Sequence, residues 1–138
     1  FYTTVVYTKN GARNNKPCKE VPMKLVHITI QTNHFDEELY FYQTYVGMKI
    51  QSDLRPAGKP IVFLADPASE TQLELIENPD ADNSGNEHLS IGFHANSLDS
   101  LHTSFEQDGF APSPMTSPMP QVQFFFVKDP AGVNVQFI

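Results

Sequence analysis

The feature that most constrains the fold is a repeat, because the chain from residue 24 runs twice through one order of predicted elements. Alternating apolar residues predict a strand, helical spacing then predicts a helix, and three further strands follow. In the first pass these elements fall at 25–30, 35–46, 48–53, 60–65 and 71–77. In the second pass they fall at 87–94, 97–109, 110–115, 122–127 and 133–138, and two prolines weaken the strand at 110–115.

Helix ends and turns agree with this order. Asn33 and Ser97 are expected N-caps, and Gly47 and Gly109 are expected helix stops. Each copy has about 50 residues, too few to bury its sheet well alone, so two copies should share a core or pair in a dimer. We therefore predict an α+β fold in which two βαβββ modules, 23–78 and 87–138, form a curved mixed sheet or half-barrels around a central cleft.

Residues 1–22 differ from the rest of the chain in charge and pattern. They hold four basic residues and one acidic residue. Positions 2–8 alternate as a strand would, Asn10-Gly11 is a turn signal, and 11–22 is polar with no period. Two interpretations stay open: a leader or other non-native extension ahead of a domain at 23–138, or an added edge strand or dimer arm.

Charge and composition exclude several classes of function. The net charge is −7, and because residues 1–22 carry +3, residues 23–138 carry −10. Such a surface does not suit nucleic acid, which requires clustered Lys and Arg. No apolar stretch approaches the length of a membrane span, and no signal peptide opens the sequence. With Cys18 as its one cysteine, we expect a cytoplasmic protein that binds a small molecule.

Four polar residues fall on strand positions that face away from the helices. His27 and Glu74 are 47 residues apart in the first copy, and His88 and Gln136 are 48 apart in the second. A pseudo-twofold relation between the copies would bring all four together. Two imidazoles, a carboxylate and an amide oxygen suit a divalent transition metal, so we predict a site for Ni, Zn, Co, Mn or Fe.

At this point residues 23–138 resemble the vicinal oxygen chelate superfamily, which includes glyoxalase I, bleomycin resistance proteins and extradiol dioxygenases. Bacterial glyoxalase I is the nearest likeness. The resemblance rests on LVHITI at 25–30, FYQTYVGMK at 41–49, LEL at 73–75, EHLSI at 87–91 and DPAG at 129–132.

The resemblance implies a function and roles for several residues. It implies metal ligands at His27, Glu74, His88 and Gln136, with Glu74 as catalytic base and Asn78 contacting the substrate. The last ligand is usually Glu, and Gln136 cannot take a proton at neutral pH. An arginine that the family places four residues after its first ligand is here Gln31. The expected activity is that of a metal-dependent lyase or isomerase resembling lactoylglutathione lyase, which abstracts a proton beside a chelated carbonyl.

Other interpretations remain beside this one. Arg55, in a loop of a chain with few cations, is a second candidate for substrate contact. A metal-free binder resembling bleomycin resistance proteins would hold a cationic compound between acidic groups and Phe63, Phe124 and Phe126, or Phe125 on the other face. An epimerase or dioxygenase of the same superfamily is a lesser alternative. A homodimer is expected, and the site would close within one chain or across the dimer.

Overall fold

The computed structural model describes residues 3–7, 13–17, 23–68, 70–82, 84 and 88–138. Near the amino end, β1 (Thr3–Tyr7) and β2 (Arg13–Pro17) form an antiparallel hairpin. The predicted strand at 2–8 is thus confirmed within β1. β2 forms within the polar stretch 11–22, where the sequence shows no periodic pattern that would have predicted a strand. The predicted Asn10-Gly11 turn lies outside the described residues.

Two modules follow, as predicted. The first module comprises β3 (His27–Thr32), α1 (Phe35–Phe41), a π-helical turn (Tyr42–Val46), β4 (Lys49–Asp53), a 3₁₀ turn (Arg55–Ala57), β5 (Ile61–Ala65) and β6 (Gln72–Glu77). The second comprises β7 (Ser90–Phe93), α2 (Leu98–Gln107), β8 (Thr116–Met119), β9 (Val122–Lys128) and β10 (Asn134–Phe137).

Each module forms one four-stranded mixed sheet. The first sheet has the order β3-β6-β5-β4, with β3 parallel to β6 and the other pairs antiparallel. The second has the equivalent order β7-β10-β9-β8. The two sheets are open and do not close into a barrel, which confirms the βαβββ prediction.

Several predicted boundaries need correction. No strand forms at 110–115, and β8 begins at Thr116 instead, because the prolines there cannot donate to a ladder. The N-cap of α1 is His34 rather than Asn33, and its side chain makes no capping hydrogen bond. Val26 and Leu89 fall within the predicted strands at 25–30 and 87–94, but both are exposed because each precedes the observed start of its strand.

One apolar core joins the two modules. The helices cover one face of each sheet, and Phe41 of α1 stacks on Phe105 of α2 with ring centroids 5.6 Å apart. Phe41, Phe105 and Phe125 are completely buried. The expectation that two modules share a core is therefore met within a single chain. No helix in the described part of the chain is long and apolar enough to cross a membrane.

A buried polar cluster ties α1 to the turn between β9 and β10. The hydroxyl of Tyr42 donates to Oδ2 of Asp129 at 2.7 Å, and the backbone N–H of Ala131 donates to Oε2 of Glu38 at 3.1 Å. Burial, together with the neighbouring Asp129, raises the pKa of Glu38 from its ordinary value of 4.5 to about 10. Burial likewise raises the pKa of Tyr42. Glu38 is therefore a neutral acid at physiological pH.

Candidate functional site

The face of each sheet that lies away from the helices is called the open face. On the first sheet, the parallel pairing of β3 with β6 sets His27 opposite Gln72 and Thr29 opposite Glu74. The antiparallel pairing of β5 with β6 sets Phe63 opposite Glu74. Because side chains alternate along a strand, these five residues share the open face, while Leu73 and Leu75 are buried below. The predicted assignment of His27 and Glu74 to one face agrees with this register.

The carboxylate of Glu74 is oriented by its neighbours. The hydroxyl of Thr29 donates to Oε1 of Glu74 at 2.6 Å. No described donor is hydrogen-bonded to Oε2, and the side chain is partly exposed. The imidazole of His27 meets the ring of Phe63 edge to face, with centroids 6.1 Å apart. Glu74 thus presents one held oxygen and one available oxygen beside an aromatic wall.

Gln136 occupies the equivalent position on the second sheet. It lies opposite Gly92 on β7 and opposite Phe126 on β9, as Glu74 lies opposite Thr29 and Phe63. A Cβ on Gly92 would lie 3.7 Å from Oε1 of Gln136, so the amide passes over the glycine. The glycine leaves the amide without a hydroxyl neighbour like that of Glu74.

The two histidines do not occupy equivalent positions, which corrects the match made from spacing. Glu74 lies opposite the residue two after His27, whereas Gln136 lies opposite Gly92, four residues after His88. By register the counterpart of His27 is Ser90, and His88 lies in an exposed turn ahead of β7. The similar spacings of 47 and 48 residues concealed this shift. A spacing adds up the lengths of the helix, strands and loops between two residues, whereas the register depends only on how the strands pair.

The donor types suit a divalent transition metal, but one chain does not assemble them. Imidazole, carboxylate and amide oxygen are accepted ligands of such ions. His27 and Glu74 lie on adjacent strands in neighbouring rows of the open face, because Glu74 pairs with Thr29, two residues after His27. Among the described residues, however, no three His, Cys, Asp or Glu side chains form a group that could hold a metal ion. Within one chain, His27 and Glu74 therefore supply a partial ligand set.

The two expected substrate contacts lie in different surroundings. The amide of Asn78 donates from Nδ2 to Oε1 of Gln31 at 2.8 Å, at the end of the first open face. Arg55 instead forms a two-point ion pair with Asp53, with N–O distances of 2.9 and 2.7 Å, and its guanidinium lies over the ring of Phe35. Phe35 is a core residue at the start of α1, so Arg55 lies by the helix rather than on the open face.

Aromatic side chains line both open faces. Phe63 is on the first face, and Phe124 and Phe126 are on the second, with their ring centroids 5.7 Å apart. All three are partly exposed. Phe125 points to the other side and is completely buried in the core. Of the aromatic walls suggested for a binder, only those on the open faces can reach a ligand.

Lys128 is an open-face residue that the sequence reasoning did not single out. It lies opposite Asn134 on β10, two positions along β9 from Phe126, and it is exposed. The signal that could have found it is the alternation of β9, which sets Phe124, Phe126 and Lys128 on one side. Because residues 23–138 contain few basic residues, a lysine on an open face is a candidate functional residue.

A cavity of about 310 Å³ lies where the free edges of β3 and β7 approach each other. Thr29 and Gln31 contribute polar groups to it, and Ile91 and Val133 contribute apolar surface. A second cavity of about 200 Å³ continues the seam and is lined by Gln72 among others. The seam therefore offers concave, mixed surface beside the open-face residues, as small-molecule sites commonly do.

Two βαβββ modules with polar and aromatic residues on their open faces are typical of a class of proteins whose members bind small molecules, often with a divalent metal ion. Residues 24–137 match the family model described as the Glyoxalase/Bleomycin resistance protein/Dioxygenase superfamily. The chain belongs to this superfamily, which confirms the resemblance drawn from its motifs.

Individual members of the superfamily share only a low sequence identity with this chain. The chain is 26% identical over 120 residues to the uncharacterized protein PA2024 of Pseudomonas aeruginosa, an alignment that covers 82% of this chain and 86% of that protein. It is similar in fold to lactoylglutathione lyase from Agrobacterium tumefaciens, with a TM-score of 0.61, 19% identity, and coverage of 86% of this chain and 94% of that one. It is also similar to TnmS3, an antibiotic binding protein from Streptomyces sp. CB03234, with a TM-score of 0.64, 14% identity, and coverage of 86% and 96%. At these identities the two structures establish the fold alone.

Proposed function

We propose that the chain is a metal-dependent lyase or isomerase that moves a proton beside a carbonyl group, with Glu74 as the base. The observation that carries this proposal is the oriented carboxylate of Glu74, held by Thr29 on an open face that also bears His27. Superfamily membership and the similarity in fold to lactoylglutathione lyase support it. A cytoplasmic location remains a prediction from the sequence.

His27, Glu74, His88 and Gln136 would hold the ion. When bound, a divalent metal stabilises negative charge on a substrate oxygen, which lowers the barrier to removing the adjacent proton. Because one chain gathers only part of this set, we infer that a homodimer completes the site, with the first sheet of one chain and the second sheet of its partner supplying the ligands. Gln136 in place of a carboxylate leaves the set with a single negative charge.

The chemistry then depends on one protein base. Thr29 fixes Oε1 of Glu74, so Oε2 is the atom placed to take the proton. The electron pair of the broken C–H bond moves into the carbon framework, and the carbonyl oxygen takes the negative charge. Return of the proton from Glu74 to the neighbouring carbon yields the isomer. Gln136 cannot exchange a proton, so catalysis serves one face of the substrate.

Turnover by a Glu74→Gln variant tests the base. With hemithioacetals and epimerisable thioesters as substrates, we expect kcat to fall by about 10²- to 10⁴-fold. Glu77→Gln is the matched control, because Glu77 is exposed on the same strand and faces away from Glu74. Equal activity of Glu74→Gln and wild type would end the proposal, as would a wild-type protein without turnover after metal loading.

Elemental analysis tests the ligand set. We expect near one divalent ion per site in protein prepared without chelator, and loss of that ion in His27→Ala and His88→Ala variants. His34→Ala is the control, since His34 is exposed in the loop before α1. Metal retained in both ligand variants would contradict the assignment. Sedimentation with and without the ion would test the homodimer.

A metal-free binder is the second candidate function. It is favoured by the aromatic residues of the open faces and by the incomplete ligand set of one chain. The similarity in fold to an antibiotic binding protein suits it as well. In this case a basic drug such as bleomycin would bind with submicromolar Kd in the presence of chelator, and Phe126→Ala would weaken binding. Metal dependence of binding would exclude this candidate.

A further inference from the structure

Three residues of β9, called here the β9 strip, run along the open face of the second sheet: Phe124, Phe126 and Lys128. The strip begins with two aromatic rings in edge-to-face contact and ends in an exposed ammonium group. On the first sheet the corresponding residues of β5 are Ile61, Phe63 and Ala65. The strip with a terminal cation is therefore particular to the second sheet.

The charge of Lys128 is unbalanced on its own face. The first open face carries both Lys49 and the Glu74 carboxylate. On the described strands of the second sheet, the open face carries no Asp or Glu, since Gln136 stands where the first sheet has its acid. No ion pair joins Lys128 to any residue of the part of the chain that the structure describes. Like Lys49 and Lys59, Lys128 is therefore an exposed cation without an ion-pair partner among the described residues, and its own open face offers no carboxylate.

Lys128 also lies near the predicted chemistry. It is opposite Asn134, and Gln136 is the next residue of β10 on the same face. Neighbouring strands are about 4.8 Å apart, so the four-carbon stem of Lys128 can bring its ammonium over the residues flanking Gln136. A planar body resting on Phe126 would place an attached anion at this ammonium.

We propose that the β9 strip binds an organic anion, a small α-oxo carboxylate with an aromatic or apolar body, with the carboxylate at Lys128 and the body against Phe126. The inference rests on the proposed function in that it names its substrate class. It deepens that function by giving the second sheet a recognition role, while Glu74 of the first sheet provides the base.

Phenylglyoxylate is a suitable probe, because it has a flat ring, two adjacent oxo carbons and one negative charge. Its methyl ester is the neutral counterpart. Calorimetric titration should give a Kd for the acid about five- to tenfold weaker in Lys128→Met than in wild type, the range expected for one partly solvated ion pair. The ester should bind both proteins equally, and Lys128→Arg should keep most of the affinity for the acid. Lys59→Met, which removes an exposed lysine between β4 and β5, is the matched control.

Ionic strength gives an independent readout. Raising the salt concentration should weaken the binding of the acid to wild type and leave that of Lys128→Met nearly unchanged. The proposal is overturned if wild type does not bind the acid at millimolar concentration, if it binds the ester as tightly, or if Lys128→Met binds like wild type. Phenylglyoxylate has no proton beside its ketone and therefore reports binding alone. If its affinity depends on Lys128 while hemithioacetals and epimerisable thioesters are not turned over, the β9 strip is retained and the proposed reaction is rejected.

Discussion

Glu38 is a titratable residue that the fold removes from water. Its side chain is completely buried between α1 and the β9–β10 turn, and its Oε1 accepts no hydrogen bond. Asp129 lies beside it and already accepts from Tyr42, Ala131 and Val133. A second ionised carboxylate buried beside Asp129 would be opposed both by desolvation and by the charge of Asp129, so Glu38 retains its proton.

This proton makes stability depend on pH. The pKa of Glu38 is about 10 in the folded state against an ordinary 4.5, so between these values the folded chain holds a proton that the unfolded chain has released. Stability should therefore fall as the pH rises through this window, by up to about 1.4 kcal/mol per pH unit. We expect Glu38→Gln to remove this slope, because an amide keeps a donor without titrating.

Urea unfolding of both proteins at several pH values between 5 and 9 measures the effect. The difference in unfolding free energy between Glu38→Gln and wild type should grow with pH, and taking the difference cancels the titration of the other carboxylates. Glu37→Gln, on the exposed side of the same helix, is the control and should leave the slope unchanged. A pH-independent difference for Glu38→Gln would mean that the buried carboxyl is ionised in the folded protein.

At the scale of elements, the end of the first helical segment depends on one glycine. The π-helical turn ends at Gly47, whose φ of 80° lies in the left-handed region, and its N–H bonds to the carbonyl of Tyr42. This ending redirects the chain into β4. Nothing lies within 4 Å of a Cβ added there, so only the backbone conformation resists a side chain.

Gly47→Ala should lower the free energy of unfolding by about 1–2 kcal/mol, the cost of a left-handed alanine. Gly92→Ala is an informative contrast, because Gly92 has no positive φ and its Cβ would make an ordinary contact with Gln136. We expect it to unfold at the same urea concentration as wild type or slightly higher. Equal losses in the two variants would show that packing, rather than backbone conformation, determines the cost.

Elements were predictable where the local pattern and the packing agree. Leu73 and Leu75 alternate toward the core, and Gly47 stops the helical segment as expected. Register was not predictable, since it depends on pairing between distant strands; the shift of His88 relative to Gln136 arises there. Nor could the sequence alone show that the DPAG turn is buried and anchored, because Glu38, which accepts from Ala131 of this turn, lies 93 residues earlier in the other module.

At the scale of the whole molecule, the two modules behave as one packing unit. The Phe41–Phe105 stack and the Tyr42–Asp129 hydrogen bond both cross from the first module to the second. The apolar face of each sheet is buried only because the helices pack on it within this shared core. Unfolding one module would expose the core face of the other, so the described domain should unfold in a single transition.

Phe41→Ala tests this cooperativity. Removing a completely buried ring should cost about 3–5 kcal/mol, through lost burial and the cavity left behind. Hydrogen exchange of amides in β5 and β9 should show the same loss of protection, because both strands report one global opening. Tyr40→Ala on the same helix is the control and should cost much less, since its side chain is 61% exposed. If Phe41→Ala does not fold, Phe41→Leu should give a smaller loss of exchange protection, equal in β5 and β9. A loss of protection in β5 alone would mean that the two modules are stable independently.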